Sequence, residues 1–487
     1  MRVEYAHPQP VNERPVHAPL RLRLRLAFVV TAVALLASCN GGGSDSNEIL
    51  GSPDPEPPPP APSGTIYAFG GTGSPSQDGA EPKGSLTAVP TIDGGVVLYG
   101  RTAIGGSNGC GTVFSINPDG SRYQVLYRFG GADGCDPRHD AMTRNPNDGK
   151  LYATTQGVNQ TNNKTYGNQG QIFSFTPGLP IGTPINAVYT FAGQPLGAQQ
   201  HSSFSIDPVT GMLYGMTAQG GDHNDGMLYA VSPDGTTFVT LHSFKKSEGT
   251  NPHGRVVLVD GVLYGILRSD GTTSDGKSGH GAVFSFKVTS PLAEGSIAIL
   301  HTFAGGTTDS GLSDHGYLTP VTIGGKTIFF GLTQCGGAGT GKDTCGNSDG
   351  GGGGTLFQID PTATPGSPAA YNLVYSFQGQ EHGDGAGPYG SLMYDGTYLY
   401  GTTSGGGKHG MGTVFRVAPV AMGGTATPTV LQHFGGSSND GQKPIDNVIR
   451  VGNTLYGMTV YGGAPGKSPD SSSYTGNGAI FAIPLPD

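Results

Sequence analysis

The sequence contains no tryptophan, and charged residues make up only 13% of its 487 positions. Helical periodicity is absent after residue 64, so no amphipathic helix is expected there. The longest apolar run, Leu26–Ala37, is too short for a comfortable membrane span. Basic residues are scarce. Five of the 26 Lys/Arg fall in residues 1–39, and the remainder of the chain carries 21 basic against 33 acidic residues, a net charge of −12. No basic stripe is left to track a phosphate backbone, so nucleic acid is not an expected partner. There is no G-x-S-x-G elbow, no H-E-x-x-H and no paired-carboxylate motif. Nothing in the sequence names a catalytic residue or a cofactor, and neither is expected.

Glycine, by contrast, occurs 86 times, and Tyr, Phe, Leu and Val recur at regular spacing. That combination points to many short strands joined by glycine-rich turns. Three patterns recur seven times in fixed order. One is a strand ending in Phe (Phe69, Phe129, Phe191, Phe244, Phe303, Phe377, Phe434). The second is L-Y-G-x-T around Tyr99, Tyr152, Tyr214, Tyr264, Phe330, Tyr400 and Tyr456. The third is G-T-V-F, ending at Phe114, Phe173, Tyr229, Phe284, Phe357, Phe415 and Phe481. The period is about 61 residues. A further strand fits ahead of the second pattern (Gly84–Val89, Arg255–Asp260, Ser391–Tyr394), giving four strands per unit. Four strands repeated seven times predict an all-β, seven-bladed β-propeller. The folded part starts on an outer strand (Thr65–Phe69) and ends on a third strand (Ala479–Leu485), so the first strand is expected to complete the last blade and close the ring.

The segment LYGTTSGGGKHGMGTVFRVAP, Leu399–Pro419, and the strands ending in Phe resemble the Gloeobacter/Verrucomicrobia-type tandem repeat, GloVer, of choice-of-anchor surface proteins. The resemblance covers roughly 65–484 and implies architecture and surface location, not an activity. The third repeat departs from it by lacking G-G-x-D-G-x-x-P, and the fourth by Leu267 where Thr is usual.

Ahead of the repeats, three arginines precede the apolar run, which ends Leu36-Ala37-Ser38-Cys39. This resembles the lipobox of bacterial lipoproteins, implying a signal peptide over 1–39 and lipidation of Cys39. Asn40 resembles the outer-membrane sorting class. Residues 40–64, rich in Gly, Ser and Pro, read as a disordered stalk, with the propeller over 65–487. The expected location is the cell envelope, as an outer-membrane lipoprotein facing the periplasm or the outside.

The second-to-third loops and the loops into the next blade are long and should open on one face. The second kind carries D-G-x-x-P, as in Asp78-Gly79 and Pro82. This reads as turn chemistry, with a calcium site as the alternative. Disulfides are expected between Cys110 and Cys135 and between Cys335 and Cys345, with a four-thiolate zinc site as the alternative. The residue after the proline position reads Lys83, Arg138, His201, His253, His315, Tyr389 and Ile445 through the repeats. It should ring the mouth of the central channel. The polar members are candidate anion ligands, and His201, His253 and His315 candidate metal ligands. The functional expectation is a monomeric, lipid-anchored binding or scaffold protein whose long-loop face meets a protein, a glycan or a small anion. Alternatives are a propeller enzyme acting on polysaccharide, lyase or hydrolase, and an outer-membrane assembly factor.

Overall fold

Each repeat folds into one antiparallel four-stranded sheet, and seven such sheets form a β-propeller in the computed structural model. The structure describes residues 63–70, 77–159, 164–165, 169–201, 203–268, 280–307, 315–339, 352–437, 439–463 and 474–486. Among them, helical structure is limited to one 3-10 turn, Gln380–His382. Residues 1–62, with Cys39 and almost all of the expected stalk, lie outside the described residues.

Blade 1 shows the pattern: Thr87–Pro90, Val96–Thr102, Thr112–Ile116 and Gln124–Arg128, from the axis outward. Blades 2 to 6 follow over 143–190, 205–243, 257–302, 319–376 and 393–433. Blade 7 takes Ile449–Val451, Thr454–Thr459 and Ala479–Pro484 from the end of the chain and its outer strand, Gly64–Ala68, from the start. The expected closure is thus the observed one.

The repeat motifs explain themselves in pairs. The glycine of L-Y-G faces the aromatic of G-T-V-F across the ladder, as Gly100 does Phe114 and Gly457 does Phe481. A Cβ on Gly100 would lie 2.3 Å from the Phe114 ring, so the ring covers backbone where another residue would carry a side chain. The glycine of G-T-V-F holds a left-handed conformation (Gly111, φ +94°; Gly478, φ +103°) that aims its carbonyl at the amide of the Phe ending the outer strand. These bonds run Phe129 to Gly111 at 3.1 Å and, across the closure, Phe69 to Gly478 at 3.0 Å. One bulge sits just before the aromatic of each third strand of blades 1 to 6, between Val113 and Phe114 for example, and adds twist.

Seven apolar clusters fill the seven gaps between neighbouring blades. The gap between blades 7 and 1 has its own, built on Phe69, Leu86, Leu98, Phe114 and Ile480. The ring is therefore closed by packing as well as by strand pairing.

Inner strands are shorter than expected: Thr87–Pro90, Val257–Val259 and Met393–Tyr394. The residues just before them turn their backbone groups to the neighbouring blade instead. His139 N–H donates to Lys83 O at 2.7 Å and Ser85 N–H to Asp140 O at 3.2 Å.

Candidate functional site

Both long loops of a blade are sewn together above it. Ala80 and Ile104 exchange backbone hydrogen bonds in blade 1, and Gly441–Gln442 pairs with Tyr461–Gly462 in blade 7. The D-G segment anchors this stitching. Gly79 packs on Thr102, where a Cβ would lie 2.4 Å from its Oγ1. The Asp78 carboxylate accepts from the Tyr67 hydroxyl at 2.8 Å, and Asp384 does the same for Tyr375. These carboxylates serve tyrosines and turns, which is the turn reading of D-G-x-x-P.

In the blades where the segment is described, the residue ahead of the proline position is left-handed: Glu81, Asp136, Gln199, Asn251 and Lys443 at φ +52° to +58°, and Gly387. A non-glycine residue there costs roughly 1–2 kcal/mol. Such strain persists only where the surroundings enforce it, and it clusters at binding and catalytic sites. Here it aims the following side chains at the propeller axis.

They meet in a bowl of ≈ 300 Å³. Its wall includes Lys83, Arg138, His201, His253, His315, Tyr389 and Ile445, all seven of the residues placed at the channel mouth from the repeats. One register shifts. The buried residue three positions on is Leu86 in blade 1, Phe204 in blade 3 and Val256 in blade 4, and in blade 2 it is Met142. The equivalent of Lys83 in blade 2 is therefore His139. Arg138 is an inserted residue, absorbed by left-handed turns at His139 and Asp140, φ +58° and +59°. Sequence reasoning missed His139, Arg268 and Lys443. The spacing from Pro137 to the buried Met142, one residue longer than from Pro82 to Leu86, was the signal for His139. Arg268 follows the Thr position of L-Y-G-x-T, a second repeat position that reaches the axis and also supplies Val460.

Four imidazoles crowd the bowl. His139 stacks on His315 at 3.6 Å between ring centres, and His201 on His253 at 4.0 Å. The Tyr389 ring lies 5.1 Å from His315. His201 Nδ1 is 2.9 Å from the buried Gln156 side-chain amide, and His253 Nε2 is 3.0 Å from Asn251 Oδ1. His139 is 5% exposed. Burial, helped by His315, Arg138, His201 and Lys83, holds its pKa well below the ordinary imidazole value, so it is neutral at pH 7. The wall carries four permanent cations, Lys83, Arg138, Arg268 and Lys443. Among the described residues, Glu81 lies 2.7 Å from Lys83 Nζ and Asp136 lies 2.6 Å from Arg138 Nε. The bowl thus gathers cationic side chains and imidazoles inside an acidic protein.

Its floor is a polar plug. The Arg101 guanidinium, 2% exposed, donates to the carbonyls of His139 and Asp140 at 2.8 and 2.9 Å. Asp446 accepts from Asp140 N–H at 2.6 Å. Asn447 donates to the Tyr317 hydroxyl at 2.6 Å, and Arg255 lies over the Tyr317 ring at 3.8 Å. The inner segments also approach closely at glycine, so that a Cβ on Gly254 would lie 2.0 Å from Gly316 O. The opening is thus a closed bowl rather than a through channel.

Cys110 and Cys135 form a disulfide, which removes the four-thiolate zinc alternative. It ties the blade 1 loop to the segment leading to His139. Cys335 is also disulfide-bonded; Cys345 lies outside the described residues.

Among solved structures, the chain is similar to a Dyadobacter fermentans protein of unknown function (11% identity, 87% of this chain and 98% of that one, TM-score 0.41). It is similar too to Trypanosoma rangeli sialidase in complex with sialic acid (14% identity, 80% and 68%, TM-score 0.39). The major Malassezia sympodialis allergen is a third (14% identity, 76% and 95%, TM-score 0.37). No curated protein matches the chain. The family model described as Gloeobacter/Verrucomicrobia repeat matches residues 160–345, a stretch running from within blade 2 into blade 5, and the chain carries the repeat of that family.

Proposed function

We propose that this is a lipid-anchored binding protein of the bacterial cell envelope that captures a small anionic ligand, such as a uronate or phosphate group, in the bowl on its long-loop face. The observation that carries the reading is the convergence of seven repeat-equivalent side chains on one closed-bottomed bowl whose wall also gathers Lys83, Arg138, Arg268 and Lys443. A basic depression in a protein of net charge −12 beyond residue 39 concentrates field lines on one spot and steers anions to it. Backbone strain spent at five non-glycine positions behind the bowl supports the same reading. The envelope location rests on the lipobox at Cys39, the stalk over 40–64 and a disulfide suited to an oxidising compartment.

Two experiments test it. Replacing Cys39 with Ala should move the protein from the membrane fraction to the soluble periplasm or medium; a variant that still fractionates with membrane removes the anchor. On an array of uronate-bearing and phosphorylated glycans, wild type should retain ligands that Lys83→Glu/Lys443→Glu does not. Equal retention by both, or none by wild type, removes the bowl as the ligand site.

A further inference from the structure

The bowl holds one arrangement that anion capture does not require. Ring nitrogens of His139, His201 and His315, from blades 2, 3 and 5, all lie within 4.8 Å of one another. Three imidazoles around a tetrahedral transition metal, with metal–nitrogen bonds of about 2.1 Å, place their nitrogens about 3.4 Å apart. The set must therefore contract by up to about 1.4 Å, and the stacked rings of His139 and His315 must tilt out of parallel. Both are rotations about side-chain torsions within a bowl of ≈ 300 Å³.

We propose that His139, His201 and His315 bind a divalent transition-metal ion, with its remaining coordination positions open to the bowl. Three protein ligands and an open position are the donor pattern of sites where a metal meets a further ligand. Imidazole selects zinc, cobalt, nickel or copper over magnesium or calcium. The buried His139 is held as the neutral donor that coordination needs. Its position is fixed from behind, by its N–H to Lys83 O at 2.7 Å and its carbonyl to Arg101 at 2.8 Å. Gln156, against His201 Nδ1 at 2.9 Å, supplies the kind of second contact that orients a metal-binding imidazole. His253 is outside the set: its Nε2 is engaged with Asn251 Oδ1 at 3.0 Å.

The surrounding cations work against a bare metal ion, and an anion on its open positions relieves that repulsion. This part rests on the reading of the bowl as an anion site, and it makes metal and anion cooperative. By linkage, each strengthens the other by the same factor.

The test uses the whole chain, freed of metal by chelation and dialysed into phosphate-free buffer. Cobalt(II) chloride is titrated and followed by its visible d–d absorption, with stoichiometry confirmed by elemental analysis and zinc affinity taken by competition. Wild type should saturate at one metal per chain. His139→Asn, which suits the left-handed backbone, and His201→Ala and His315→Ala should each weaken binding at least tenfold. His253→Ala should stay within threefold of wild type. Melting curves and circular dichroism verify that each variant is folded. No stoichiometric cobalt or zinc on folded wild type overturns the proposal, and so does a His253→Ala loss equal to that of His315→Ala. The two readings fail separately. Glycan retention that persists without cobalt binding leaves the anion site and removes the metal. Cobalt binding without glycan retention does the reverse.

Discussion

At the scale of single residues, the left-handed position ahead of each proline is where sequence choice and stability pull apart. Gln199 sits at φ +54° and Asn251 at +55°. For Gln that conformation costs roughly 1–2 kcal/mol, while glycine adds back roughly 0.5–1 kcal/mol of unfolded-state entropy. Gln199→Gly should therefore raise stability by about 0.5–1 kcal/mol, read as a shift in urea midpoint at constant slope. Asn tolerates the left-handed region through local hydrogen bonding, so Asn251→Gly should gain less. A loss in Gln199→Gly would show that the strained backbone is not what the position pays for. Much of this layer was legible in the sequence. D-G-x-x-P, L-Y-G-x-T and G-T-V-F each contain the residues that a turn, a covering ring or a threonine contact demands. The inserted residue in blade 2 was not, because Pro137-Arg138 mimics Pro82-Lys83 so well that counting from the proline selects the wrong side chain. Only counting back from the buried Met142 recovers His139. Arg268 escaped because it belongs to a different repeat position, one that alternation alone does not direct to the axis.

At the scale of elements, one strand carries the integrity of the ring. Gly64–Ala68 pairs with Ala479–Pro484, and Phe69, fully buried, packs in the same cluster as Phe114 of blade 1. The phase of the repeats made this closure predictable, since a chain that begins on an outer strand and ends on a third has one spare strand and one vacancy. The shortness of the inner strands was not predictable from pattern. Their first residues still alternate, but the neighbouring blade captures their backbone groups, a tertiary effect with no local signature. Deleting 64–70 should bare the edge of Ala479–Pro484 and open the gap between blades 7 and 1. The expected result is aggregation in light scattering together with a melting temperature lower by more than 10 °C. A variant that melts like wild type would mean the blade stack holds without closure.

At the scale of the whole molecule, seven blades bring their inner ends to one axis, and the charges buried there set a pH dependence that no single blade could have. Asp446, 9% exposed, faces Asp140, Arg101, Arg255 and Tyr317 around that axis. Burial, then the nearby Asp140 carboxylate, raises its pKa from the usual carboxylate value to about 7, against the pull of the amides of Asn447 and Asp140. Burial also lowers the Arg101 guanidinium to about 10, which keeps it charged over the neutral range. An acid whose pKa is raised on folding holds its proton in the native state over a range where the unfolded chain has released it. Its contribution is fully present below the unfolded pKa of about 4 and is lost as pH rises through about 7. His139 has the opposite sign. Its depressed pKa costs stability as pH falls below the ordinary imidazole range, so wild type alone shows the two effects superimposed. The comparison with Asp446→Asn, in metal-free protein, separates them, because the amide cannot titrate while His139 is unchanged. The free-energy difference between wild type and variant should move against wild type between pH 4 and 7.5, by at most about 4 kcal/mol given a shift of roughly three pH units at 1.36 kcal/mol each. Urea melts at half-unit pH steps measure it. A difference that stays flat over that range would mean Asp446 is ionised throughout, balanced by the guanidinium groups of Arg101 and Arg255, and that the plug beneath the bowl is a fixed ion network rather than a protonated one.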